Sequence, residues 1–287
     1  MGVKIITDSA VDLPNEIVKE YDIEVLPLLV LHGETEYEDG VSINAYDLYM
    51  NMRNEKVYKT AQISPGTFVE VFKKYAKENQ ECIYIAFSSG LSGTYESSLM
   101  ARENLLIEFP EFQLDIIDSK CASLGFGLVV LKAAKLAREG CPRGEIVETV
   151  KFYAKHMEHI FTVDQLEYLW RGGRVSRSKA FIGDLLNVKP ILDVEDGKLI
   201  PIDKARGTKR LFKRMMEIVE ERGVDLAEQT IGISHGDNLE AVEIVKQMMQ
   251  EKFGCQNFVI SLIGSAIGAH SGPGTLAIFF LNKKPML

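Results

Sequence analysis

Cysteine is sparse in this 287-residue chain, and the four present, Cys82, Cys121, Cys141 and Cys255, form no CxxC pair. That excludes a disulfide framework or a zinc-type ligand set as an organising feature, and free thiols are expected. Long hydrophobic runs are missing as well: the longest, such as 24–31 and 258–263, fall far short of the ~18 residues that a membrane span needs. There is no excess of positive charge, since 33 Lys and Arg stand against 41 Asp and Glu, a formal net charge of −8. Nucleic acid and anionic membranes therefore have no general electrostatic claim on the protein, and an anionic ligand needs a locally built site. Neither GxxxxGK[ST] nor a dinucleotide fingerprint occurs, so nucleotide binding has no motif behind it. Met1-Gly2-Val3-Lys4 leads into a strand-like run without the apolar segment of a signal peptide, from which a cytoplasmic location is expected.

The composition that is present, 46% hydrophobic and 26% charged, is that of a soluble globular protein, and the length predicts two domains. In the first half, β-rich runs at 3–7, 24–31, 82–87 and 112–117 alternate with amphipathic helical patterns, the grammar of βαβ units and a parallel sheet. Ser64-Pro65 reads as an N-cap followed by proline at the first helical position, and Ser42 as the cap of a helix running to about Met52. From Leu124 to Met157 a helix stops at Gly140-Cys141-Pro142 and restarts. Beyond His159 the pattern changes. Runs at 189–194 and 198–205 flank Glu195-Asp196-Gly197, which predicts a hairpin, and helices at about 208–222 and 239–253 alternate with strands at 230–234, 257–263 and 275–281. The expectation is an N-terminal parallel-sheet α/β domain over 1–158 and a C-terminal mixed α/β domain with antiparallel strands over 159–287.

Ligands of open parallel sheets sit beyond the carboxyl ends of the strands, and there this sequence is hydroxylic: Thr7-Asp8-Ser9, Thr60-Ala61-Gln62, Ser88 to Thr94, and Asp118-Ser119. Such loops leave N–H and O–H groups free for an anionic head group, although each residue singly is as readily an N-cap. Gly90-Leu91-Ser92-Gly93 resembles a nucleophile elbow but fails the GxSxG spacing at Thr94. His156 and His159 have helix-face spacing and read as a solvated helix end; His32 and His235 read as plain strand-end residues. His270 stands out within a Gly- and Pro-rich loop, 267–275, that permits a tight backbone path around one imidazole. The basic clusters Arg171-Gly172-Gly173-Arg174 and Lys204 to Arg210 suit a phosphate or an acidic partner surface, and equally a solvated loop and a helix start.

KIITDSAVDLP, KTAQISPGTF, SSGLSGTYESS, IIDSKCASLGFG, LWRGGRVS, KARGTKR and IGAHSGPGT, in this order along nearly the whole chain, resemble the DegV family, whose best understood members are the fatty-acid-binding subunits of bacterial fatty acid kinase. The resemblance implies a two-domain DegV-like fold without catalytic chemistry of its own, metal or cofactor. Such a protein holds a long-chain fatty acid by its carboxyl group at the domain junction and presents it to a kinase catalytic subunit that makes the acyl phosphate. Carried over by motif, Thr60, Ser92 and His270 would bind the carboxylate, with Gln62, Gly93 and Thr94 supporting the loop, while Arg174 and Arg206 would face the kinase or the acyl phosphate. Ala61 departs from the hydroxyl residue usual there, which removes one expected donor. Phe161, Leu169, Trp170, Phe181, Ile182, Leu185 and Leu186 are candidate tunnel walls, and a transient membrane-surface contact is compatible with such a carrier. The competing reading is an enzyme acting on a small phosphorylated or carbonyl compound, with Ser92 or His270 catalytic.

Overall fold

In chain order the elements of the computed structural model, which describes residues 2–175 and 188–285, begin with β1 (Lys4–Asp8), α1 (Asn15–Glu20), β2 (Glu24–Leu26), β3 (Leu29–His32), β4 (Thr35–Glu38), α2 (Ala45–Arg53) and β5 (Lys59–Ala61). There follow α3 (Pro65–Lys77), β6 (Cys82–Ala86), α4 (Thr94–Glu108), β7 (Leu114–Asp118), α5 (Ser123–Arg138) and α6 (Arg143–His156). The remainder comprises β8 (Met157–Thr162), α7 (Leu166–Arg171), β9 (Val188–Glu195), β10 (Lys198–Arg206), α8 (Thr208–Arg222), β11 (Thr230–His235), α9 (Leu239–Phe253), β12 (Asn257–Leu262), α10 (Ser265–Ser271) and β13 (Leu276–Leu281).

Among the described residues these strands make three sheets. A parallel sheet of order β2-β1-β6-β7 has the strand content and direction expected of the first half. A mixed sheet of order β10-β9-β8-β13-β11-β12 forms the second half, antiparallel except for the β11–β12 pair. Asp196 and Gly197, both at positive φ (45° and 76°), turn the β9–β10 hairpin as their types predict. The small antiparallel sheet β4-β3-β5 is an addition that the sequence patterns did not announce.

α5 explains how the sheets are joined. Its sequence, SLGFGLVVLKAAKLAR, is apolar on nearly every side through Ala134, and a helix of that kind must be covered all round. It packs on β1 of the parallel sheet and on β8, β11 and β13 of the mixed one, so it lies between the two. The other face of the mixed sheet is covered by α8 and α9, where Leu211, Met215, Val219, Val242, Val245 and Met249 join Ile160, Ile231 and Ile278 in a second core. β13 shows the division: Leu276, Ile278 and Phe280 face the second core, and Ala277, Phe279 and Leu281 the first, as the two-residue period of a strand requires.

Several local expectations are corrected. The run 24–31 is two strands in different sheets, because Pro27, lacking an N–H, ends β2 after Leu26 and the chain restarts as β3 at Leu29. α2 is capped by Asn44, whose side chain accepts from Asp47 N at 2.9 Å; Ser42 instead accepts from Glu38 N at 2.8 Å. Ser64 does cap α3, accepting from Thr67 N at 3.1 Å. His156 and His159 do not share a helix face. The helix gives way to β8 at Met157, His156 bonds Asn282 Oδ1 at 2.9 Å, and His159 is buried in the strand. His270 lies on a short helix, α10, and the tight loop begins only after it, with Gly272 and Gly274 at φ 78° and 84°.

Candidate functional site

Most of the hydroxylic groups at the carboxyl ends of the parallel strands are spent on the protein's own backbone. Thr7 Oγ1 donates to Ile85 O at 3.0 Å, Ser119 Oγ to Ala86 O at 2.7 Å, and Ser9 Oγ accepts from Leu28 N at 3.0 Å. Ser88 Oγ donates to Gly197 O at 2.7 Å, which docks the β9–β10 turn onto this loop, and Ser89 Oγ donates to Asp118 Oδ2 at 2.5 Å. What remains facing open space is narrower than the sequence suggested.

That space is a cavity between the two large sheets, about 780 Å³ of unfilled space when its open mouth is counted. Its wall is largely apolar: Leu28, Phe87, Leu91, Phe161, Leu169, Leu199, Ile263 and Phe279 contribute, together with several alanines. Thr60 on β5, Ser92 in the loop before α4, His270 on α10 and Arg174 just after α7 all join this one wall. Thr60 Oγ1 and His270 Nε2 are 2.7 Å apart. Ser92 Oγ bonds Thr94 Oγ1 at 2.9 Å and accepts weakly from Thr94 N at 3.3 Å. Gln62, Gly93 and Thr94 lie behind the wall: Gln62 Nε2 donates to Ser97 Oγ at 2.6 Å, and a Cβ on Gly93 would collide with the Gln62 amide. The Gln62–Ser97 bond ties the residue after β5 to the first turn of α4.

Arg174 is half-buried, its Nε–H donating to Leu91 O at 3.1 Å and its Nη1–H to Gly172 O at 2.6 Å, and burial pushes its pKa down. Burial, reinforced by the positive charges of Arg174 and Arg171, pushes the His270 imidazole down to about 3, so at neutral pH it is uncharged. A Cβ on Gly172 would collide with His270 Nδ1; the first glycine of Arg171-Gly172-Gly173-Arg174 is what lets the imidazole and the arginine loop approach. Arg206, by contrast, is exposed at the end of β10 and is not part of the cavity wall. Of the expected tunnel residues, Phe161 and Leu169 line the cavity and Trp170 packs at the edge of the core beside it. Phe181, Ile182, Leu185 and Leu186 lie outside the described residues.

His159 and Ser271 are wall residues whose place the sequence does not mark. His159 is buried, with Nε2 accepting from Ala122 N at 3.2 Å, which leaves the proton on Nδ1 to donate to Met157 O at 3.2 Å. Burial pushes it down to about 4. The alternation Met157, His159, Phe161 on one strand face was the available signal. Ser271, the neighbour of His270, carries a buried hydroxyl without a hydrogen-bond partner among the described residues. Since Ser92 is paired with Thr94 and His270 with Thr60, the serine–base contact that a nucleophilic mechanism needs is not made. Among the described residues no cluster of His, Cys, Asp or Glu could hold a metal ion, and no helix is long and apolar enough to cross a membrane. All four cysteines are free.

Comparison with known proteins places this geometry in context. A family model described as "Uncharacterised protein, DegV family COG1307" matches residues 2–283. A DegV domain-containing protein of Clostridium perfringens is 42% identical over 286 residues, which is 98% of each chain. Among solved structures, a DegV family protein from Thermus thermophilus, described by its fatty acid binding, superposes with a TM-score of 0.87 at 28% identity, covering 97% of this chain and 99% of the other. DegV of Bacillus subtilis, described as a fatty acid binding protein, superposes with a TM-score of 0.83 at 30% identity, covering 97% and 98%. The likeness over both halves agrees with the two-part α/β architecture seen here.

Proposed function

The chain belongs to the DegV family, and from that premise and the cavity together we propose that it binds a long-chain fatty acid, with the carboxyl group beside Thr60, Ser92 and His270 and the acyl chain along the apolar wall. The observation that carries this reading is the composition of one cavity: Thr60 paired with the neutral imidazole of His270, with Ser92 and Arg174 in the same wall, and a majority of apolar residues besides. Burying ~15 methylene groups at ~0.8 kcal/mol each supplies on the order of 12 kcal/mol gross. Hydrogen bonds to a charged head group add ~1.5–3 kcal/mol each. The chain therefore supplies affinity and the polar groups supply orientation. With His270 uncharged, the charge that offsets a carboxylate comes from Arg174, a different role from the kinase or acyl-phosphate contact that the family resemblance implies for it.

In this reading residues 1–158 and 159–287 act as two domains that meet at the head group. The protein is a cytoplasmic, non-catalytic carrier that presents the bound acid to a separate kinase subunit, with exposed Arg206 available for that contact. Mass spectrometry of lipid extracted from the purified protein tests the first part: about one fatty acid per chain is expected. A chain free of lipid that also fails to take up added fatty acid contradicts it. For the second part, acyl phosphate should form from ATP only when a kinase subunit is added, and ATP turnover by the chain alone would count against it.

A further inference from the structure

α10 is seven residues long, too short to be stable alone, and its N-terminus at Gly264 has no side-chain cap of its own. Its first backbone groups are held from far away in the sequence. Tyr49 OH donates to Ile263 O at 3.0 Å, Gly264 N donates to Asp12 Oδ1 at 2.8 Å, and Ser265 N donates to Asp39 Oδ1 at 2.8 Å. Three consecutive residues are thus gripped by three side chains of the first 49, all of them buried. Gly268 lies so close that a Cβ there would sit 2.7 Å from Tyr49 OH. Neither aspartate forms an ion pair with a described residue. Asp12 instead accepts from Ser123 Oγ, a cavity-wall residue, at 2.5 Å. Burying carboxyl groups without a cation is costly, and an Asn or Ser at the N-cap would satisfy a helix start more cheaply. What the arrangement gains is a fixed position for α10 relative to β5, whose Thr60 meets His270 at the far end of the same helix.

We infer that Asp12, Asp39 and Tyr49 are positioning residues for the head-group site, holding α10 so that His270 stays at hydrogen-bonding distance from Thr60. The inference rests on the fatty-acid reading for its functional meaning, but its geometry can be read without ligand. Burial pushes Asp12 up to about 8 and raises Asp39, and the neighbouring carboxyl groups of Asp39 and Asp8 add repulsion at Asp12.

The test uses the whole chain with Asp12→Ala, Asp39→Ala, Tyr49→Phe and the conservative Asp12→Asn and Asp39→Asn, whose side-chain carbonyls still accept an N–H. Two measurements are made on each. First, the ring ¹⁵N resonances of His270 are recorded without ligand: they should move in the Ala and Phe variants and stay in place in the Asn variants, while those of His159 stay in all. Unmoved His270 resonances overturn the inference whatever the ligand is. Second, affinity for a long-chain fatty acid is compared with affinity for its methyl ester. The Ala variants should lose at least fivefold of the preference for the acid, and Tyr49→Phe about twofold, with ester affinity unchanged and the Asn variants restoring the preference. An equal loss for acid and ester marks a merely structural role and overturns the inference. Tyr49→Phe, which removes a single oxygen, keeps both measurements available if an Ala variant does not fold. If the unaltered protein binds neither acid nor ester, the fatty-acid reading fails, and the inference is decided by the resonances alone.

Discussion

His159 and His270 line the same cavity, both are uncharged at neutral pH, and both are pushed down by burial, to about 4 and about 3. Their hydrogen-bonding positions differ. Both ring nitrogens of His159 are taken up by backbone groups, Ala122 N and Met157 O, and Phe279 covers its face edge-on at 5.3 Å between ring centroids. His270 has only Thr60 among the described residues, and the arginine loop beside it is a glycine turn that leaves room. A depressed pKa therefore does not separate the two imidazoles. The bonding capacity that His270 keeps and His159 has spent does.

Exchanging each histidine for alanine should separate the two regions most strongly. His159→Ala opens a cavity and strands Ala122 N and Met157 O, so denaturant unfolding should report a loss of ~3 kcal/mol. His270→Ala should cost under ~1 kcal/mol of stability but ~10–100-fold in fatty acid affinity, the scale of one hydrogen bond to a charged group. If both variants mainly lose stability, the contrast between the regions is wrong.

A pH series sharpens it. His159 and His270 release in the fold protons that the unfolded chain keeps up to about pH 6.5, so their contribution rises with pH below that value. Asp8 and Asp12, raised by burial to about 6 and about 8, keep in the fold protons that the unfolded chain gives up near 3.8, so their contribution falls as pH rises. Below pH 6.5 the two trends oppose. Above it the histidines are neutral in both states, and Asp12, with its proton held to about pH 8, sets the trend. Stability should fall between pH 6.5 and 8 by up to ~1.4 kcal/mol per pH unit for each proton involved. Asp12→Asn should flatten most of that slope; a slope unchanged by it would mean that Asp12 ionises in the ordinary range. Smaller still, Thr60→Val keeps shape and removes one hydroxyl, for ~3–10-fold in affinity, whereas Arg206→Ala should leave affinity within about twofold and show its effect only with a kinase present.

Periodic elements were legible because their own residues decide them. α8 and α9 run over the residues that their patterns predicted, and the Asp196-Gly197 turn and the Ser64 cap follow from local chemistry. α10 was read as a loop because Gly264, Gly268 and two serines have weak helix propensity, and the groups that stabilise it, Asp12, Asp39 and Tyr49, are more than 200 positions away in sequence. β4, whose residues Thr35, Glu36, Tyr37 and Glu38 are mostly exposed, is a strand only because β3 lies beside it. The candidate site divides in the same way. Hydroxylic loops mark Thr60 and Ser92, but which hydroxyls the backbone consumes depends on contacts distant in sequence, within the first half for Ser119 and between the halves for Ser88, as does the settling of His159 and Arg174 into the same wall.

The most direct test is a crystal structure of the protein with a long-chain fatty acid bound. The carboxyl group is expected within ~2.6–3.2 Å of polar atoms of Thr60, Ser92 and His270, with the hydrocarbon chain running past Phe161 and Phe279 toward His159. A carboxyl group seated instead at His159, or an acid bound outside this cavity, would contradict it.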